Sequence, residues 1–456
     1  HAYYDVTAVS GVLSSNTTWS ISDSPILVTG DVTVPDGSVL TIEPGVEVRF
    51  LPSTDDQISG TDTSKSEFIV GGSIIAVGTA SDSIRFVSNA QSPLNDDWSG
   101  FSMQNPDIIH FSHVSLHHAD DVFDWYLDPG LGDSLRIADS YFSSSKEYAD
   151  FFNGYNALVL INSQRIVIED NRFIGFRNFF NINYDSSPAP HAVTTYDSSM
   201  VIINNNEFID IDKIFVRPTI PTKLSSAGGQ IYFTNNYSPP GTSCEVVFHI
   251  ESDYIDNGSS NMTFVFQDNQ IGSWIKIRAQ SDLTGNNRAG RLLFKGNTCG
   301  GLEFTGLEHE EILIRDNTTT LNEGTILTFA QLGRLLIENN TLMGSFNGAI
   351  RVFTDVGQDT IRYNTITGGS KGIYLSTNAN PLIINNNLDS DYSIYNETSN
   401  TIDARFNWWG EAVTVEMDEG GNPKNISSIY DMSDDSQYGE VIYASWLNSS
   451  YVSQES

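Results

Sequence analysis

The chain has 456 residues, of which 57 are Asp or Glu and 23 are Lys or Arg, for a formal net charge of −34. So acidic a surface repels phosphate, which excludes nucleic acid and anionic membrane as partners. Two cysteines, Cys244 and Cys299, exclude a dense disulfide framework, and no apolar run is long enough for a membrane-spanning helix.

In chain order, residues 1–18 read as an N-terminal strand or extension, because Tyr3, Tyr4, Val6, Val9 and Val12 are β-prone. The expectation is a strand that folds back and caps its own chain, the alternative being addition to a neighbouring subunit. A start at His1 without Met suits a mature product after signal removal. From Ile26 to Phe50 short strands are cut by Gly30, by a Pro35-Asp36-Gly37 turn and by a Pro44-Gly45 turn. The theme returns from Ile69 to Val87, with Gly71, Gly72 and Gly78. The polar stretches 52–67 and 178–200 read as protruding loops.

Beyond residue 165 one pattern repeats: an apolar residue, two variable residues, an Asn, one more residue, then usually a second apolar residue. Its asparagines are Asn171, Asn206, Asn236, Asn269, Asn297, Asn317, Asn340, Asn364, Asn386 and Asn407, at intervals of 35, 30, 33, 28, 20, 23, 24, 22 and 21. A coil of that length cannot bury its own apolar face, but stacked coils can, each strand pairing with its counterpart about 4.8 Å away. The Asn is expected at the bend, where it tolerates left-handed geometry and stacks as a buried amide ladder. The fold class is therefore all-β, a parallel β-solenoid in a single elongated domain over residues 19–447, followed by a polar tail at 448–456.

Several segments carry a family resemblance. Val32-Thr-Val-Pro-Asp-Gly-Ser-Val-Leu-Thr-Ile-Glu-Pro-Gly-Val46, Ile84-Arg-Phe-Val-Ser-Asn89 and Asp97-Trp98-Ser-Gly100 resemble the first coils of secreted right-handed parallel β-helix repeat proteins, which share the pectate-lyase-like fold. Phe406-Asn-Trp-Trp-Gly410, Ile429-Tyr-Asp-Met-Ser-Asp-Asp435 and Gly439-Glu-Val-Ile-Tyr-Ala-Ser-Trp-Leu447 are similar to the family's closing coil and cap. The resemblance implies a right-handed parallel β-helix in an extracellular or cell-surface setting. It leaves function open among adhesins, structural subunits and polysaccharide-active enzymes.

The signatures of polygalacturonase-like and pectate-lyase-like enzymes are missing. Carboxylate pairs at Asp96 and Asp97, at Asp120, Asp121 and Asp124, and at Asp434 and Asp435 read as loop solvation rather than a glycosidase pair. His110, His113, His117 and His118 lie within nine residues, and His113 and His117 would share a strand face suited to a transition metal. The stretch Phe176 to Tyr184 mixes rings with amides and reads first as core, the alternative being a surface that stacks sugars. No cofactor is expected except calcium, for which Asp431 with Asp434 and Asp435 is one candidate set and Asp120, Asp121 and Asp124 another. Nine glycosylation sequons occur; Asn236 and Asn317 are also ladder positions, which leaves Asn16, Asn257, Asn261, Asn339, Asn396, Asn425 and Asn448 for glycans. Cys244 and Cys299 are expected as two buried thiols. The functional expectation is a non-enzymatic, secreted structural or adhesive protein, such as the repeating subunit of a surface layer, appendage or filament, with itself or surface glycans as partner. The alternative is a polysaccharide lyase, glycosidase or glycan-binding module.

Overall fold

A computed structural model of the chain describes residues 7–104, 106–125, 134–144, 149–154, 159–160, 165–180, 193–195, 200–216, 218–220, 229–252, 263–279, 289–307, 309–321, 325–329, 333–353 and 359–451. They fall into two compact units, one of residues 1–221 with 227–246, the other of residues 222–226 with 247–456.

In each unit the described strands stack in parallel, coil on coil. In the first, Ala76, Phe111, Ile137, Ile168, Ile203 and Phe233 stand in one register column. In the second, Phe266, Phe294, Ile314, Ile337, Ile361 and Ile383 form the equivalent column. All twelve side chains are fully buried. The period-two alternation of the sequence thus becomes an inward face of stacked apolar residues. On a second inner face Phe142, Phe173 and Phe208 stack with centroids 5.4 Å apart at each step. The core is built from like residues repeated coil after coil.

The ten repeat asparagines are all buried. In the first unit Asn171 Nδ2 donates to Asn206 Oδ1 at 3.0 Å, and Asn206 Nδ2 to Asn236 Oδ1 at 3.1 Å. In the second the chain of donations runs from Asn269 through Asn297, Asn317, Asn340, Asn364 and Asn386 to Asn407, with distances of 2.8–3.0 Å. Most of these amides also donate to the carbonyl of an apolar residue one coil back, as Asn364 does to Ile337 at 2.9 Å. Each amide therefore ties its coil to both neighbours. Ser140 occupies the coil position before Asn171, its N–H donating to Asn171 Oδ1 at 3.0 Å.

The bend itself is made differently from expectation. The left-handed residue is the one before each ladder Asn: Asp170, Asn205, Asn235, Asp268, Asp316, Asn339, Tyr363, Asn385 and Phe406 have φ between +53° and +60°, and Gly296 has +70°. That turn aims the following Asn side chain inward, where its amide can bridge coils.

Other expectations are modified locally. Gly30 does not end a strand, because Ile26–Val34 is continuous. A Cβ at Gly30 would collide with the Asp56 carboxylate, since the loop after residue 51 lies directly over it. That loop is held down by Thr29 and Ser10 hydroxyls donating to Asp56 at 2.6 and 3.1 Å. Within 178–200, Asn178–Phe180 and Val193–Thr195 are strands, and residues 181–192 and 196–199 lie outside the described residues. At the N-terminus Thr7–Val12 pairs in parallel with Ile26–Val34 of its own chain. Thr17–Trp19 already belongs to a coil, paired with Val39–Ile42. After the last ladder position comes a helix, Gly410–Asp418, and a short pairing of Ile402–Asp403 with Val441–Ile442. Among the described residues no helix is long and apolar enough to cross a membrane.

Candidate functional site: a tyrosine column on one outer face

The strands Ile350–Val352, Lys371–Thr377, Tyr392–Thr398 and Ile429–Tyr430 follow one another in parallel in the second unit. Ile350, Ile373, Ile394 and Ile429 point inward and are buried. The next residue on each strand must then point outward. These are Arg351, Tyr374, Tyr395 and Tyr430, in direct register. The Tyr374 and Tyr395 ring centroids are 5.8 Å apart, and Tyr395 stacks on Tyr430 at 4.2 Å with 5° between planes. Tyr392 meets Tyr395 edge-on at 5.3 Å, and Tyr438 extends the group 6.0 Å beyond Tyr430.

Two cations lie against the rings. The Lys371 ammonium sits 3.6 Å from the Tyr395 centroid and 4.7 Å from that of Tyr374. The Arg351 guanidinium lies 5.1 Å from the Phe353 ring and 5.6 Å from Tyr374. Such placements hold a charge by the ring quadrupole. The Tyr374 hydroxyl donates to Glu397 at 2.6 Å. Burial, reinforced by Tyr430 and Glu397, pushes the Tyr395 phenol up to about 12. Burial and Glu397 raise Tyr374 as well, whereas burial lowers the Lys371 ammonium. The Tyr374 and Tyr395 phenols therefore stay protonated near neutral pH. The result is a half-buried band of rings with centroids 5.8 and 4.2 Å apart, interleaved with one carboxylate and two cations. That is a surface chemistry suited to a polyhydroxylated chain.

Sequence reading missed this column, though its signal is present: Ile373-Tyr374, Ile394-Tyr395 and Ile429-Tyr430 repeat one inward–outward pair. The stretch weighed instead as a sugar surface is core, its first reading, with Phe176 and Phe179 fully buried; residues 181–184 lie outside the described residues. The His117 and His118 rings lie 5.7 Å apart, but among the described residues the four histidines do not gather into a group of three or more. His113 is at a bend with φ +52°, not on the face of His117. His117 is fixed between the Ser143 and Ser115 hydroxyls at 2.6 and 2.7 Å, and burial pushes it down to about 4.

The carboxylates of the Asp431, Asp434 and Asp435 candidate calcium set accept hydrogen bonds from groups around their own turns. Asp431 is buried and its two oxygens accept N–H groups of Ser433 and Val441 at 2.8 and 2.9 Å. Asp434 accepts from Asn425 at 3.1 Å, and Asp435 from the Gln437 side chain at 2.7 Å. These carboxylates cap turns, and among the described residues no group of three or more His, Cys, Asp or Glu is gathered to hold a metal. The carboxylates Asp62, Asp96 and Asp120 instead surround Lys65, at 3.7, 3.6 and 3.2 Å. Cys244 and Cys299 are buried thiols, and burial pushes Cys299 up to about 12.

The glycan set is also revised. Asn396 is fully buried and its amide nitrogen donates to the carbonyls of Asn400 and Gly439 at 3.2 and 2.9 Å, so the folded chain cannot present it. Asn16, Asn339, Asn425 and Asn448 are exposed, while Asn257 and Asn261 lie outside the described residues. Glycopeptide mass spectrometry on material from a glycosylating host is expected to find sugar among the exposed four. Substantial occupancy at Asn236, Asn317 or Asn396 would contradict this placement.

Residues 254–408 match the family model described as right handed beta helix region. Neither the search of curated proteins nor that of solved structures returns a match.

Proposed function

We propose, from the premise that this chain is a right-handed parallel β-helix, that it is an extracellular adhesive protein which holds a polysaccharide against the tyrosine column. The fold fits a surface or polysaccharide-related protein in general. The observation that carries the finer reading is the register of Tyr374, Tyr395 and Tyr430, which sets three phenol rings in one column on an outer face. Fixed rings lose little side-chain entropy on binding, and their hydroxyls can replace the water around a sugar. The sequons, acidic surface and missing hydrolase signatures support an exported, non-catalytic role.

The test is affinity electrophoresis through gels containing polysaccharides, comparing the native protein with the double variant Tyr395→Phe, Tyr430→Phe. These substitutions keep the stack and remove two hydroxyls. At about 1 kcal/mol per lost hydrogen bond, binding is expected to weaken roughly tenfold or more while the unfolding midpoint hardly moves. A native protein retarded by no polysaccharide, or a variant retarded equally, would overturn the proposal.

A further inference from the structure

Next to the column, three successive turns nest into a depression of about 420 Å³. The stacking is close: Gly368 N–H donates to Asp389 O at 2.8 Å, and the Ser390 hydroxyl donates to Gly368 O at 2.7 Å. Side chains at Gly344 or Gly369 would run into the backbone of the adjoining turn, so glycine is required for the turns to fit. Phe346 stands at the rim with 71% of its surface exposed, more than any other described aromatic residue. Asp389 and Asp391 line the floor with Ser370 and Ser390, and both carboxylates are exposed. The depression continues into the column through the chain itself, because Ser370 precedes Lys371 and Asp391 precedes Tyr392.

The exposed Phe346 ring leaves an apolar face open to solvent and free to meet a ligand. Beside carboxylates it makes a two-part surface. The ring offers an apolar face to the C–H side of a sugar, and each carboxylate can accept from neighbouring hydroxyls. A uronate or sulfate would meet two aspartates and a net charge of −34. A cationic polymer would find carboxylates over the whole surface of a chain with 57 acidic residues, so charge alone does not select this place. The phenyl ring does.

We infer that this depression is the subsite that selects an uncharged pyranose, the tyrosine column holding the chain that continues from it. The inference rests on the polysaccharide reading of the column and names the sugar class that reading leaves open. The subsite works without a metal, the carboxylates taking hydroxyl hydrogens directly.

The experiment compares neutral polysaccharides (a β-glucan, a mannan and a galactan), polyuronates and chitosan in affinity gels with and without EDTA. It uses the full chain and the variants Phe346→Ala and Asp391→Asn. Both positions are exposed, so folding is expected to be unaffected, which the thermal midpoint checks. The expected result is retardation by at least one neutral polysaccharide, weakened about tenfold by either substitution. Retardation by polyuronate or chitosan alone would overturn the inference, as would binding that disappears in EDTA. If neutral polysaccharides bind, Tyr395→Phe with Tyr430→Phe weakens them and Phe346→Ala does not, the subsite fails while the column reading stands. If nothing binds, the column reading fails and the subsite with it.

Discussion

Replacing Asn364 by Ala is expected to cost about 3–5 kcal/mol of unfolding free energy, among the largest effects any single substitution here can have. The Asn364 oxygen accepts from the Asn340 backbone N–H at 3.0 Å and from Asn340 Nδ2 at 2.8 Å. Its nitrogen donates to Ile337 O, Arg362 O and Asn386 Oδ1 at 2.9, 3.0 and 3.0 Å. Alanine removes the acceptor for two donors that stay buried, and each orphaned group costs about 1–3 kcal/mol. Ser at the same position is expected to cost less, because Ser140 already serves the equivalent position between Val114 and Asn171. Asp should be worse than Ser, since it supplies no donor to Ile337 and places a carboxylate in a site with no cation. Asn380→Ala, at an exposed position, should stay within about 0.5 kcal/mol. Urea unfolding followed by circular dichroism measures the series. Equal small losses at 364 and 380 would show that the ladder is decorative.

The same ladder shows what sequence can and cannot convey. The spacing of the asparagines is visible because every coil has to turn the same corner with the same chemistry. Which residue makes the left-handed turn is not visible, because Asn205-Asn206, Asn235-Asn236, Asn339-Asn340 and Asn385-Asn386 offer the same residue type for both roles. Where the two separate, Asp170, Asp268, Gly296 and Asp316 suit the left-handed turn, but it also falls on Tyr363 and Phe406, which propensity disfavours there. Stacking from coil to coil overrides the local cost. The closing helix is hidden for a related reason. Val413, Thr414 and Val415 favour strand, yet Gly410, Thr414 and Met417 bury one side of a helix. Asn396 shows the limit of a three-residue motif: a sequon carries no information about which way its Asn points in a strand. The tyrosine column was legible only once the coil period had been combined with strand alternation. Neither signal alone separates an outward Tyr from the many Phe residues of the core.

The second large effect concerns proton binding in the first unit. Glu67 and Asp31 are almost fully buried side by side. The Glu67 N–H donates to Asp31 Oδ1 at 3.0 Å, Ser59 donates to Asp31 Oδ2 at 2.5 Å, and Thr61 N–H donates to Glu67. Burial is the main reason Glu67 is pushed up to about 7; the Thr61 bond opposes it, and Asp31, Asp124 and Asp62 add to it. Partial burial, reinforced by Asp120, pushes the half-buried Asp124 up to about 6. A carboxyl whose pKa is higher folded than unfolded binds more protons in the native state. Its contribution is fully present below the unfolded value near 4.5 and is lost as pH rises through about 7. Between those limits stability should fall with rising pH. Exposed carboxylates such as Asp56 and Asp62, lowered first by the hydroxyls of Thr29 and Ser64, act in the opposite sense at more acid pH. Glu67→Gln keeps an oxygen for the Thr61 N–H and removes the charge. At about 1.4 kcal/mol per pKa unit, it is expected to stabilise the protein on the order of 2–3 kcal/mol at pH 8 and to change little at pH 4.5. Unfolding midpoints across that range, for native and variant chains, decide the matter. A variant less stable than the native protein at pH 8, or shifted equally at both ends, would mean that Glu67 is ionised and paired in the folded chain rather than protonated beside Asp31.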